Sequence, residues 1–121
     1  MDIAEFEALV ATALDDMPEE FARAMDNVEV VVEIWPTDEE LSAGSVGPNS
    51  TLLGLYRGIP QTKRGTYAGA LPDKIIIFAG PILTIFGNDP VIIKREVRNT
   101  VLHEIGHHFG MNDEQIRAAG K

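Results

Sequence analysis

Apolar residues recur every three or four positions at the start of the chain. Ile3, Phe6, Leu9, Val10 and Ala13 share one side of a helix, which predicts an amphipathic helix over residues 2–15. Pro18 opens a second helical stretch through Phe21, Ala22 and Met25, with Asp16 or Met17 near its cap. The period then falls to two. Val28, Val30, Val32 and Ile34 take one face and Glu29 and Glu33 the other, a half-buried strand that Pro36 ends.

Thr37-Asp38-Glu39-Glu40 has the spacing of a capping box and predicts one short helical turn. Gly44–Ser50 reads as a loop, Leu52–Tyr56 as strand, and Pro60–Gly69 as a second loop carrying Lys63, Arg64 and Tyr67. Lys74–Phe78 is apolar on both faces, which predicts a central strand. A short helix is expected over Pro81–Phe86. Asn88-Asp89-Pro90 then starts a long one: an aspartate cap with proline in the first turn. That helix should run from Pro90 to Phe109, where Gly110 supplies the left-handed residue that ends it. Residues 112–119 are expected to add one more helix. The mixture predicts an α+β fold, a single domain over residues 1–121 with a small mixed β-sheet packed against helices. Trp35 and Phe109 sit beside apolar stretches and are expected in the core.

Composition narrows the chemistry. The 121 residues are 45% hydrophobic and 24% charged, as in ordinary globular proteins. With no cysteine, disulfide frameworks, thiolate metal sites and thiol catalysis are excluded, and the chain suits a reducing compartment. Residues 1–60 carry a net charge of −11 and residues 61–121 one of +2, giving −9 in all. Such a chain repels phosphate backbones, so no nucleic-acid partner is expected. Met1-Asp2-Ile3-Ala4-Glu5 lacks the basic lead-in of a secretory leader, and the uncharged run Ile75–Asn88 is too short to span a bilayer. The expectation is a cytoplasmic protein with no membrane partner.

All three histidines fall in His103-Glu104-Ile105-Gly106-His107-His108, on the long helix. Four residues is just over one turn, so His103 and His107 project from one face about 6 Å apart at Cβ. That suits two imidazoles converging on one zinc ion, with Glu104 placed to reach a water rather than the metal. In chains of this composition H-E-x-x-H arises by chance about once in 150, and with Gly110 and Asp113 added roughly once in 25,000. The motif is therefore read as a metal site and not as a solvated helix face.

Zinc needs a third protein ligand. His108 lies about 100° round the helix from His107, and Glu96 is nearly two turns before His103. Of the 14 residues after His107, only Asp113 and Glu114 are carboxylates. Asp113, brought back by the turn at Gly110, is the expected third ligand, with Glu114 second. The pattern is then H-E-x-x-H-x-x-G-x-x-D.

This pattern is similar to the extended zinc signature of metzincins, with aspartate in place of the third histidine. Leu52–Pro60 (LLGLYRGIP), Leu71–Ile75 (LPDKI) and Thr100–Gly110 (TVLHEIGHHFG) resemble segments of the small bacterial zincin-like metallopeptidases, over roughly residues 25 to 120. The resemblance implies a minimal zincin-like fold built around the H-E-x-x-H helix. It also implies a Zn2+ cofactor and cleavage of peptide or unfolded protein substrates. Larger metzincins add a C-terminal subdomain with a methionine turn and a pocket wall; here only Met111 is near, inside the signature itself.

Glu104 is the expected catalytic base, accepting a proton as water attacks a carbonyl. Tyr56, Tyr67 and Arg64 are candidates for a second electrophile. Leu52–Arg57 is the expected edge for extended substrate. Asn99 and Thr100, about a turn before His103, and His108 are candidate supporting groups. Two other readings stand beside the peptidase. One is a non-peptidase zinc hydrolase such as an endoribonuclease, disfavoured by Asp113 and the −9 charge. The other is a zinc-binding module without turnover, for which a retained Glu104 would have no use.

Overall fold

The computed structural model describes residues 1–44, 52–58 and 72–119. Lys63, Arg64 and Tyr67, with the loop expected around them, lie outside the described residues. So do residues 45–51, most of the loop expected at Gly44–Ser50. The chain runs α1 (Ile3–Asp15), α2 (Glu19–Ala24), β1 (Val28–Glu33), α3 (Asp38–Ala43), β2 (Gly54–Arg57), β3 (Asp73–Phe78), α4 (Ala79–Phe86), α5 (Pro90–His108) and α6 (Asp113–Ala119). No described helix is long and apolar enough to cross a membrane.

The sheet of the described residues has the order β1-β3-β2. β1 lies parallel to β3, with Val30 beside Ile75, and β2 lies antiparallel, with Tyr56 beside Ile75. Having a neighbour on both sides, β3 buries Ile75, Ile76, Ile77 and Phe78 almost completely. Alternation then divides them. Ile75 and Ile77 join Val28, Val30 and Val32 under α1 and α5, against Phe6, Val10, Ile93, Val97 and Val101. Ile76 and Phe78 form a smaller cluster on the opposite face with Leu55, Val31 and Leu52. At roughly 1.5–3 kcal/mol for each fully buried side chain, this face-to-face core is what holds α5 against the sheet.

One glycine sets how close the edge strand comes to that helix. A Cβ on Gly54 would lie 2.5 Å from Thr100 Cγ2, so β2 meets α5 backbone to side chain. The capping box at Thr37 is present: its hydroxyl accepts from Glu40 N, and Glu40 returns a bond to Thr37 N. Glu40 is nevertheless buried, with the Glu33 carboxyl at the end of β1 near enough to influence its titration.

The core expectation fails at Trp35 and Phe109, which are 58% and 59% exposed. Both stand just past the end of an element. β1 closes at Glu33, Ile34 O accepts from Gly80 N at 2.8 Å, and the Trp35 ring lies across Gly80, where a Cβ would meet it at 2.5 Å. Phe109 is the C-cap of α5, and its ring meets the His108 ring edge-on at 5.2 Å.

Candidate metal centre

The site is built on the last turns of α5 and the chain reversal that follows. Asp89 caps the helix by accepting from Val91 N at 2.9 Å, with Pro90 as its first residue. At the other end Gly110 takes φ +80°, and the turn closes with Gly110 N–H donating to His107 O and Met111 N–H to Gly106 O. These are the two bonds of a Schellman ending, and the left-handed residue they require favours glycine. Asn112 starts α6 at once. Its side chain accepts from Gln115 N at 2.8 Å while Gln115 Oε1 accepts from Asn112 N at 2.9 Å. That reciprocal cap puts Asp113 at the first position of α6. The Asn112–Gln115 spacing is the signal in the sequence that marks this reversal.

The reversal brings Asp113 back to the histidines. Asp113 Oδ1 lies 2.8 Å from His107 Nε2 and 4.0 Å from His103 Nε2. The two imidazole rings are 5.8 Å apart, edge to face. His103 Nδ1 is 2.8 Å from Asn99 O. A carbonyl only accepts, so Nδ1 carries a proton there and Nε2 is the nitrogen turned towards Asp113. Glu114 stays exposed on α6; the carboxylate that meets His107 is Asp113.

The donor chemistry suits zinc: two imidazole nitrogens, each within 4.0 Å of one carboxylate oxygen. Among the described residues no group of three such side chains is placed to hold a metal ion. Two ligand atoms around a tetrahedral zinc are separated by roughly 3.4 Å. The 2.8 Å and 4.0 Å contacts of Asp113 lie on either side of that figure.

Glu104 is held by the edge strand. Phe78 N–H donates to Leu53 O, so alternation along the antiparallel pair turns the main-chain groups of Leu55 and Arg57 towards β3 and those of Gly54 and Tyr56 outward. The outward Tyr56 N–H donates to Glu104 Oε1 at 3.0 Å. Burial pushes the Glu104 carboxyl above its ordinary range, against the Tyr56 hydrogen bond and the neighbouring His107 and His103. Asp113 goes the other way: its hydrogen bond to His107 holds it below the usual carboxylate range.

Tyr56 is itself held. Its hydroxyl donates to Asp73 Oδ2 at 2.6 Å, and its ring stacks on His108 at 4.0 Å. Of the candidate electrophiles, Tyr56 therefore turns its hydroxyl to Asp73, while Tyr67 and Arg64 lie outside the described residues. Asn99 supports His103 through its carbonyl, and Thr100 donates to Glu96 O while packing on Gly54. The Tyr56–Glu104 contact spans 48 residues, and no local pattern in the sequence marks it.

A family model described as "Zincin-like metallopeptidase" matches residues 25–121, and the chain belongs to that family. Among solved structures it is similar to a conserved hypothetical protein from the bacterium T. thermophilus. That chain is 27% identical, with a TM-score of 0.55 over 89% of this chain and 94% of the other. No curated protein matches the chain significantly.

Proposed function

We propose that this protein is a zinc-dependent hydrolase that cleaves peptide bonds in short or unfolded polypeptides, with His103, His107 and Asp113 as metal ligands and Glu104 as catalytic base. The observation that carries the reading is the convergence of those three side chains beside a carboxylate that the edge strand holds in place. Membership of the zincin-like family supports it.

A zinc ion held there would make a water more acidic and polarise the substrate carbonyl. The chain's own residues do the rest. Asn99 O fixes the His103 tautomer with Nε2 as the ligand atom. Tyr56 N–H holds Glu104 by Oε1, which leaves Oε2 to take a proton from the attacking water and hand it to the departing amine. Desolvation that raises the carboxyl makes it a better base than an exposed glutamate. The outward main-chain groups of Gly54 on β2 are suited to pairing with an extended substrate.

The test is a chelator-competed zinc titration of the full chain. One zinc per chain is expected, lost in His103→Ala and in His107→Ala, with Asp113→Ala weakening affinity far more than Glu114→Ala. Equal zinc content in the wild type and the double histidine variant would overturn the assignment, and a larger loss in Glu114→Ala would overturn the third ligand.

A further inference from the structure

Beside His103 the surface between β2 and α5 sinks into a groove of about 320 Å3. Leu52 and Leu53 form one wall, and Glu96, Asn99 and Thr100 of α5 the other. His103 and Glu104 also line it, so the groove opens directly onto the reacting centre. Its depth is set where Gly54 meets Thr100, since any Cβ there would lie 2.5 Å from Thr100 Cγ2.

Glu96 stands seven residues before His103. At 100° and 1.5 Å per residue it falls about 20° from the His103 direction and roughly 10 Å up the axis. Glu96, Asn99 and His103 therefore make one stripe along α5, and the groove follows it. Among the described residues the lining holds two carboxylates, Glu96 and Glu104, and no lysine or arginine. Glu104 is engaged by Tyr56 N–H. Among the described residues Glu96 has one ionic contact, Arg95 Nε at 3.3 Å, from an arginine side chain that is 63% exposed, whereas the Glu96 side chain is only 18% exposed. Such a solvent-screened pair contributes little, and a carboxylate has acceptor sites to spare.

We propose that this groove is a side-chain subsite for lysine or arginine in a peptide, with Glu96 as the specificity determinant; the proposal rests on the peptidase reading above. A lysine or arginine stem reaches roughly 6 Å from Cα to its charge. From a residue next to the scissile bond, that stem lies along Leu52 and Leu53 and brings the charge to Glu96, with the Asn99 amide alongside. A norleucine of similar length fills the same walls and leaves Glu96 unanswered.

The test uses the full-length, zinc-loaded Glu104→Gln protein, which retains the groove. Fluorescence anisotropy would measure its binding to a peptide series with arginine or norleucine at each position in turn. Arginine at one position should bind at least about tenfold tighter than norleucine. Adding Glu96→Gln should remove that advantage, and Glu96→Lys should replace it with a preference for glutamate at the same position. No arginine preference, a preference that survives Glu96→Gln, or no peptide binding would each overturn the proposal. Hydrolysis by the wild type is scored separately. A Glu96-dependent preference in a protein that cleaves nothing leaves the subsite standing and removes the peptidase reading; cleavage without that preference does the reverse.

Discussion

Replacing Gly106 with alanine should weaken zinc binding without touching a ligand. Gly106 lies inside α5, where alanine is ordinarily better than glycine by about 0.8–1.0 kcal/mol. Here a Cβ would stand 2.5 Å from Ile116 Cγ1 and 2.6 Å from Ile116 Cδ1. Carbon atoms in contact sit about 3.5–4.0 Å apart, so Ile116 must withdraw by about 1 Å. Ile116 is 1% exposed and three residues from Asp113 on α6. Moving it therefore moves the helix that carries Asp113 to His107.

Overpacking of this kind costs about 1–3 kcal/mol, against a propensity gain of about 1 kcal/mol, so Gly106→Ala should be destabilised by about 0–2 kcal/mol. Zinc affinity should fall about 10- to 100-fold, the usual effect of displacing a group that orients a ligand. The control is Ile116→Ala. It removes both clashing atoms and leaves Cβ at an ordinary 3.7 Å, so in that background Gly106→Ala should become stabilising. Urea unfolding of the metal-free proteins and competitive zinc titration would measure both effects. A Gly106→Ala protein that gains the full propensity increment and binds zinc as the wild type does would refute the reasoning.

Two other substitutions test a carboxyl pair at the end of β1 and the support of Glu104. Burial, and next its hydrogen bond with Glu40, raise the Glu33 carboxyl above its ordinary 4.5. Its contribution to stability is thus complete below that value and lost as pH rises through the folded pKa, so Glu33→Gln should match the wild type in acid and exceed it increasingly towards neutrality. Urea unfolding across that range checks it, and a gap that is constant or shrinks with pH refutes it. Tyr56→Phe removes the bond to Asp73 while keeping the ring on His108. It should cost about 1 kcal/mol of stability and lower kcat severalfold with zinc affinity unchanged, because the Tyr56 N–H that holds Glu104 is less firmly placed. An unchanged kcat would show that the hydroxyl plays no part in placing the base.

Much of this arrangement is legible in the sequence because it is local. The Asp89 cap, the proline after it and the left-handed Gly110 mark both ends of α5, and the histidine spacing follows from helix geometry alone. The apolar run of β3 announces a strand covered on both faces. What sequence periodicity cannot supply is the fate of residues just beyond an element. Trp35 lies beyond the last strand pair of β1 and Phe109 is the C-cap of α5, where the periodic face of each element has ended. Long-range contacts are equally silent. Glu40 reads only as part of a capping box until the end of β1 brings Glu33 near it, and Tyr56 reads as a candidate electrophile, whereas the structure engages its outward N–H with Glu104 and its hydroxyl with Asp73. Asp113 falls between these cases. Its distance along the chain points to it, but the hydrogen bonds at Gly110 and Asn112 are what bring it to His107.

The central claim is that Glu104 acts as a base beside a bound metal. Its most direct test is peptide hydrolysis by zinc-loaded wild type and zinc-loaded Glu104→Gln, side by side. Glutamine keeps the side-chain volume, the helix propensity and an oxygen for Tyr56 N–H, so zinc content and fold should be unchanged. Loss of a positioned general base typically costs about 10²–10⁴ in rate, so hydrolysis should fall at least about a hundredfold. Equal hydrolysis by the two fully metallated proteins would contradict the account and leave a zinc-binding module without turnover of its own.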